Sequence, residues 1–216
     1  DTKTPYARVD DPFQKISPTK LVAETPDKAN AFLLASRAIP INDLHSDFAA
    51  LLVANQILGG STESRLPNRL RTQDGLSYSV GSALQPSSID ANSKFLVYAI
   101  FAPQNLSRVE EGINAVFAQS LSTAPSAKEI EDAKKSLLEE RAIARAQDKA
   151  QAGNLVSQLF LNRTWKESLA RDQAIAAVTA EDVHRVIRQY LSNDAFVYSI
   201  AGTFKNAGQD KASTNP

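Results

Sequence analysis

The sequence predicts an α+β domain, a mostly antiparallel sheet with helices packed on one face. Three observations carry this. Extended, apolar segments gather at 29–39, 77–84 and 94–102, separated by turns and two helical stretches. Residues beyond 105 read as a block of amphipathic helices before a closing strand at 195–202. Strands and helices are thus grouped rather than strictly alternating, which is the α+β pattern and not a run of βαβ units.

Each element has a local reason. Residues 1–19 are polar and punctuated by Pro5, Pro12 and Pro18, so they read as an extended arm or linker. The strand at 29–39 ends at Pro40. Asn42 or Asp43 can cap a helix over 44–58, with Leu44, Phe48, Leu51, Leu52 and Leu58 on one face. Gly59-Gly60 stops it, and Ser61, Thr62 or Ser64 caps a short helix to about Gln73, with Pro67 in its first turn. Gly75 ends that helix, and 77–84 and 94–102 form adjacent strands. Asn105 opens a helix with Val109, Ile113, Val116, Phe117 and Leu121 inward. Ser126 and Glu129 fit a capping box before a long charged helix, with Ile130, Ala133, Leu137 and Ala144 as its seam. Gly153 marks a break or a close approach. Thr179 and Asp182 open the last helix, on Val183, Val186, Ile187, Tyr190 and Leu191. Residues 20–203 read as one domain with a polar tail over 204–216.

Composition removes several functions. The 216 residues hold 24 Lys+Arg and 24 Asp+Glu, so the electrostatic footprint of a nucleic-acid binder is missing. There is no Cys, hence no disulfide, thiolate metal site or thiol nucleophile. With two His, an all-histidine zinc site cannot form, and His45 and His184 lack the spacing of H-E-x-x-H or H-x-x-E-H. Both read as solvent-facing or locally hydrogen-bonded. The longest apolar stretches, 48–57 and 95–102, fall short of the ~20 residues of a membrane span. The absence of Met and the Asp1 start read as a processed chain or a piece of a longer one. Gly59-Gly60-Ser61 lacks P-loop spacing and is explained by a helix stop and a cap. No G-x-S-x-G elbow exists, and Glu110-Glu111 and Glu139-Glu140 read as solvated helix faces.

One segment remains, 58–84, LGGSTESRLPNRLRTQDGLSYSVGSAL. Leu58-Gly59-Gly60, Ser64-Arg65-Leu66, Leu70-Arg71 and Gly75-Leu76-Ser77-Tyr78-Ser79-Val80 stand in the register L-G-G, S-R-L, L-R, G-L-x-Y-x-V. The chain thereby resembles the C-terminal domains of the insulinase/pitrilysin family of zinc metallopeptidases, the inverzincins, over about 20–203. The resemblance implies a clamshell of homologous domains around a peptide chamber. One of these carries H-x-x-E-H and zinc; this chain, with no cofactor site, is similar to one that does not. It implies a partner, a zinc-bearing homologous domain or subunit, and a peptide substrate bound in extended form. It also implies that Arg71 and Tyr78 complete the active site across the chamber. A phenolic O–H suits the oxyanion formed at an attacked peptide carbonyl, and a guanidinium suits substrate carbonyls. Without the resemblance, Arg71 reads as a cation at a helix C-terminus and Tyr78 as a half-buried strand aromatic. The alternatives are an inert structural or scaffolding domain of the same fold and a stand-alone peptide-binding domain. A bacterial periplasmic location is favoured over the cytoplasm.

Overall fold

In the computed structural model, residues 6–192 and 196–204 are described. Five strands form one sheet: β1 (Thr19–Glu24), β2 (Ala31–Ile39), β3 (Ser77–Gln85), β4 (Ser93–Phe101) and β5 (Val197–Gly202), in the order β1-β5-β2-β4-β3. All neighbours are antiparallel except β1 with β5. The helices are α1 (Phe48–Asn55), α2 (Arg65–Pro67), α3 (Leu106–Ser122), α4 (Ala127–Arg145), α5 (Asp148–Phe160), α6 (Trp165–Ala177) and α7 (Ala180–Tyr190). The α+β expectation therefore holds, with helices against one face of a mostly antiparallel sheet.

Strand alternation decides which face is covered. On β2 and β4 the inward residues Leu33, Ala35, Phe95, Val97, Ala99 and Phe101 are buried, and they meet Phe48 and Leu51 of α1, Ile113 and Phe117 of α3, and Val183 and Ile187 of α7 in one core. Phe196 stacks edge-on against Phe95 and Phe117, with centroids at 6.4 and 5.3 Å. The outward residues are less covered: Phe32 is exposed, and Leu34, Leu96, Tyr98 and Ile100 are half-buried.

Several boundaries depart from the sequence reading. The sequence shows no strand signal at residues 19–24, yet β1 adds to the edge beside β5. All six of its residues are exposed, so it has no apolar alternation to reveal it. The arm before it is exposed but anchored, because Arg8 forks onto Asp90 at 2.6 and 2.7 Å and Asp11 N–H bonds the same carboxylate at 3.0 Å. Residues 1–5 and most of the 204–216 tail, like Ala195 of the closing strand, lie outside the described residues. Helix α1 begins at Phe48 rather than 44, and Leu44 points to solvent. Of the expected caps, Asn42 Oδ1 accepts from Leu44 N–H at 3.1 Å in the turn ahead of α1, and the Asp43 carboxylate turns to Arg163; Asp47, which stands at the N-cap of α1, turns to Arg185 instead of to the helix N–H groups. Gly153 lies inside α5 with nothing within 4 Å of a built Cβ, and the break falls at residues 146–147. The boxes at Ser126/Glu129 and Thr179/Asp182 form as read, and an unread third, Thr164/Glu167, opens α6.

Candidate functional site

The segment from Leu58 to Val80 folds into a platform at the β3 edge of the sheet. Helix α1 runs on into a π-type turn, Gln56–Gly60, which lays Gly59 against β3. A Cβ on Gly59 would stand 2.3 Å from the Ser82 amide nitrogen, so only glycine permits this approach. Ser64 Oγ donates to the Ser61 carbonyl at 2.5 Å and tightens the turn into α2. Arg65 then forks onto Glu129 at 2.7 and 3.1 Å and donates to Ser120 Oγ at 2.9 Å, tying α2 to α3 and α4. Leu66 and Leu70 are fully buried.

Helix α2 continues as a second π-type turn, Asn68–Gln73, which carries Arg71. Such wide turns recur at functional positions. This one is closed by Asp74 N–H to the Arg69 carbonyl at 3.0 Å, Leu76 N–H to the Leu70 carbonyl at 2.8 Å, and an Arg69–Asp74 ion pair at 2.8 Å. Gly75 takes φ +60°, the left-handed conformation that turns the chain into β3.

The first residues of β3 are irregular. Ser77 stands opposite Phe101 and Ser79 opposite Ile100, the very next residue of β4, so Tyr78 is the extra residue of a bulge. Ser77 Oγ holds the bulge by donating towards the Ser79 and Ile100 carbonyls at 2.9 and 2.6 Å. The phenol is 65 % exposed, not half-buried as a regular strand aromatic would be. Arg71 is exposed as well. Among the described residues, neither makes a hydrogen bond or an ion pair. The structure thus places both expected residues at exposed positions, Arg71 on the π turn and Tyr78 on the bulge, while the apolar motif residues Leu58, Leu66, Leu70, Leu76 and Val80 are buried.

The histidines stay apart. His45 Nδ1 accepts from Asp47 N–H at 3.1 Å, and His184 Nε2 donates to the Leu121 carbonyl at 3.0 Å. Among the described residues, no group of three or more His, Asp or Glu could hold a metal ion. Of the carboxylate pairs, Glu110 is drawn to Lys20 of β1 at 2.6 Å, a cross-link that helix periodicity could not show, while Glu139 and Glu140 have only local partners on α4.

The sequence reading missed two buried charge networks. Arg163 forks onto Asp43 at 2.8 and 2.9 Å and reaches the Ser88 carbonyl, and Arg171 bonds the Asp43 carbonyl while stacking over Phe48. Burial pushes the Asp43 carboxyl up, but the Arg163 and Ser88 hydrogen bonds and the charge of Arg171 outweigh it and hold it below the ordinary value. Asp47 accepts from Arg185 and from the Tyr190 hydroxyl, each at 2.8 Å. Burial and the Asp47 carboxylate push the Tyr190 hydroxyl up to about 12. The only sequence signal for these pairs was acidic residues at a helix start, which reads equally well as capping.

Comparison with known proteins places the chain in a family. The family model described as the Peptidase M16 inactive domain matches residues 2–137. The chain belongs to that family, as the motif resemblance implied. It superposes on the peptidase M16 inactive domain from Pseudomonas fluorescens (TM-score 0.77, 24 % identity, 92 % of this chain and 47 % of that one). It also superposes on a protease from Helicobacter pylori (0.79, 19 %, 93 % and 48 %) and on the periplasmic protease PqqL from Escherichia coli (0.68, 18 %, 86 % and 20 %). The chain spans about half the length of the first two. No curated protein matches it by sequence.

Proposed function

We propose that this domain completes the active site and peptide chamber of a zinc metalloendopeptidase whose H-x-x-E-H half lies elsewhere on the polypeptide or on a partner subunit. Tyr78 donates its hydroxyl to the oxyanion of the attacked carbonyl, and Arg71 holds carbonyl oxygens of an extended peptide. Zinc, held by that other half, supplies carbonyl polarisation and the nucleophile. The observation that carries this is the bulge: it removes Tyr78 from the ladder and presents an unpartnered phenol, with Arg71 unpartnered on the turn before it. Bulges recur where a strand must aim a side chain at a reacting group.

The test is the domain assembled with its zinc-bearing half. Tyr78→Phe is expected to lower kcat about 10²–10³-fold with little change in KM, the size of effect seen when one oxyanion donor is removed. Arg71→Ala is expected to raise KM more than it lowers kcat. Unchanged turnover of both variants in an assembled, zinc-loaded enzyme overturns the assignment. The isolated chain is expected to cleave nothing.

A second reading is an inert scaffolding domain, and one observation favours it. Helix α5 turns its apolar side outward: Leu155, Val156, Leu159 and Phe160 are 48, 69, 84 and 78 % exposed, a larger apolar face than an isolated surface needs. Docking requires such a face whether or not chemistry follows, and the kinetic test separates the two. Residence in a bacterial periplasm is proposed on the likeness to PqqL, and cell fractionation checks it.

A further inference from the structure

The polar side of α5 faces a cavity of about 340 Å³, bounded by α4, the turn from α5 into α6, and α6. Four guanidiniums line it: Arg141, Arg145, Arg163 and Arg171. Two lining carboxylates oppose them, Asp43 and Glu167. Both are already engaged, Asp43 by Arg163 and Arg171, and Glu167 by the Thr164 N–H and hydroxyl of its capping box. A third, Asp172, bridges Arg141 and Arg145. Counting all three, four positive charges meet three negative ones around one partly enclosed space. Asn154, Ser157 and Gln158 of α5 supply neutral hydrogen-bonding groups to the same wall.

We propose that this cavity is a binding site for a small oxyanion, a carboxylate or phosphate group held by the unused N–H donors of these arginines. Each guanidinium carries five N–H donors. Arg171 spends one nitrogen, Nη2, on the Asp43 carbonyl at 2.8 Å and the Asp43 carboxylate at 3.5 Å, and its flat face covers Phe48, so its Nε and Nη1 donors are left over. Arg145 meets one oxygen of Asp172 at 2.8 Å. Burial lowers the Arg171 pKa, Asp43 offsets this, and the charges of Arg141 and Arg163 lower it again. Excess positive charge is therefore crowded where water is partly excluded, and an oxyanion entering there makes charge-assisted hydrogen bonds. The inside-out helix fits the same picture. Its polar residues Asn154, Ser157 and Gln158 stand on the cavity wall, while no residue of the helix is buried and its apolar side faces out. The site is separate in sequence and in element from Arg71 and Tyr78, so it stands or falls independently of the peptidase reading.

The anion can be free or can be the carboxylates of an acidic peptide. Isothermal titration of the chain with inorganic phosphate and with a hexaglutamate peptide, each against sodium chloride of equal ionic strength, separates these sources. Saturable binding of either probe, weakened at least tenfold by Asn154→Asp, supports the site; binding of the peptide alone assigns the peptide source. Asn154 is exposed and makes no ion pair, so the added charge leaves the networks intact. Arg145→Gln is the second variant, with circular dichroism confirming that both fold. No binding of either probe beyond the chloride control overturns the proposal, as does binding that neither variant weakens.

Discussion

Ser77 and Tyr78 show how adjacent residues divide structure from function. Ser77 is buried and its hydroxyl serves two carbonyls at the bulge, whereas Tyr78 projects from it. Replacing Ser77 by alanine removes a donor from inside the sheet. It is expected to cost about 1 kcal/mol in urea denaturation. Tyr78→Phe removes an exposed hydroxyl with no partner and is expected to leave stability within about 0.5 kcal/mol of the parent. A loss of activity in Tyr78→Phe therefore reads as chemistry, while the same loss in Ser77→Ala reads as a misaimed strand.

The glycines of the 58–80 segment serve different elements for different reasons. Gly59 is a matter of space, because a Cβ would strike the backbone of β3. Gly75 is a matter of conformation, because φ is +60° and nothing lies within 4 Å of a built Cβ. Gly59→Ala is thus expected to cost about 3 kcal/mol or to prevent folding. Gly75→Ala is expected to cost about 1 kcal/mol and Gly75→Asn less, since asparagine tolerates the left-handed region. Thermal melts of the three variants check the ranking, and equal losses at both positions would contradict it. The two π-type turns belong to this level too. Each hands a helix over to a segment that packs on β3 or leads into it, and each ends at a position where glycine or a tight local pair permits the change of direction.

Across the molecule, ion pairs hold the helical layer to the sheet and its loops. Arg65 and Glu129 join α2 to α4, and the Glu129 carboxyl is brought down to about 2. Burial there raises it, but the Arg65 hydrogen bonds and the Ser126 N–H of the capping box prevail. The folded-state pKa is depressed, so the contribution is present above pH 4.5, the unfolded value, and is lost as pH falls towards about 2. Denaturation midpoints are expected to fall over that window, and Glu129→Gln is expected to flatten the fall. A variant as acid-sensitive as the parent would show that other carboxylates, such as Asp43 and Asp47, dominate instead. Apolar surface on α5 and the half-open outer face of the sheet add a further property: the domain exposes faces of the kind that larger assemblies cover.

Local chemistry was enough for the sequence to specify the grouped strands, the amphipathic helices on Val109 to Phe117 and Val183 to Leu191, and two capping boxes, whereas Arg71 and Tyr78 stand out only through the resemblance of the 58–80 motif to a family. The strands, helices and boxes depend on periodicity, caps and turn residues, all of which act within a few positions of the chain. Only the tertiary structure decided the rest. Strand β1 exists because an unpaired edge of β5 accepts it, not because its own residues alternate. Asp43 and Asp47 leave the helix they could cap because arginines some 120 and 138 positions away offer fuller partners. Tyr78 is set outward by one unmatched residue in the pairing of two strands, and α5 sets Asn154, Ser157 and Gln158 on the wall of a cavity lined by four arginines drawn from three other segments. Each is an interaction between distant parts of the chain, and its energy appears only when the fold has brought them together.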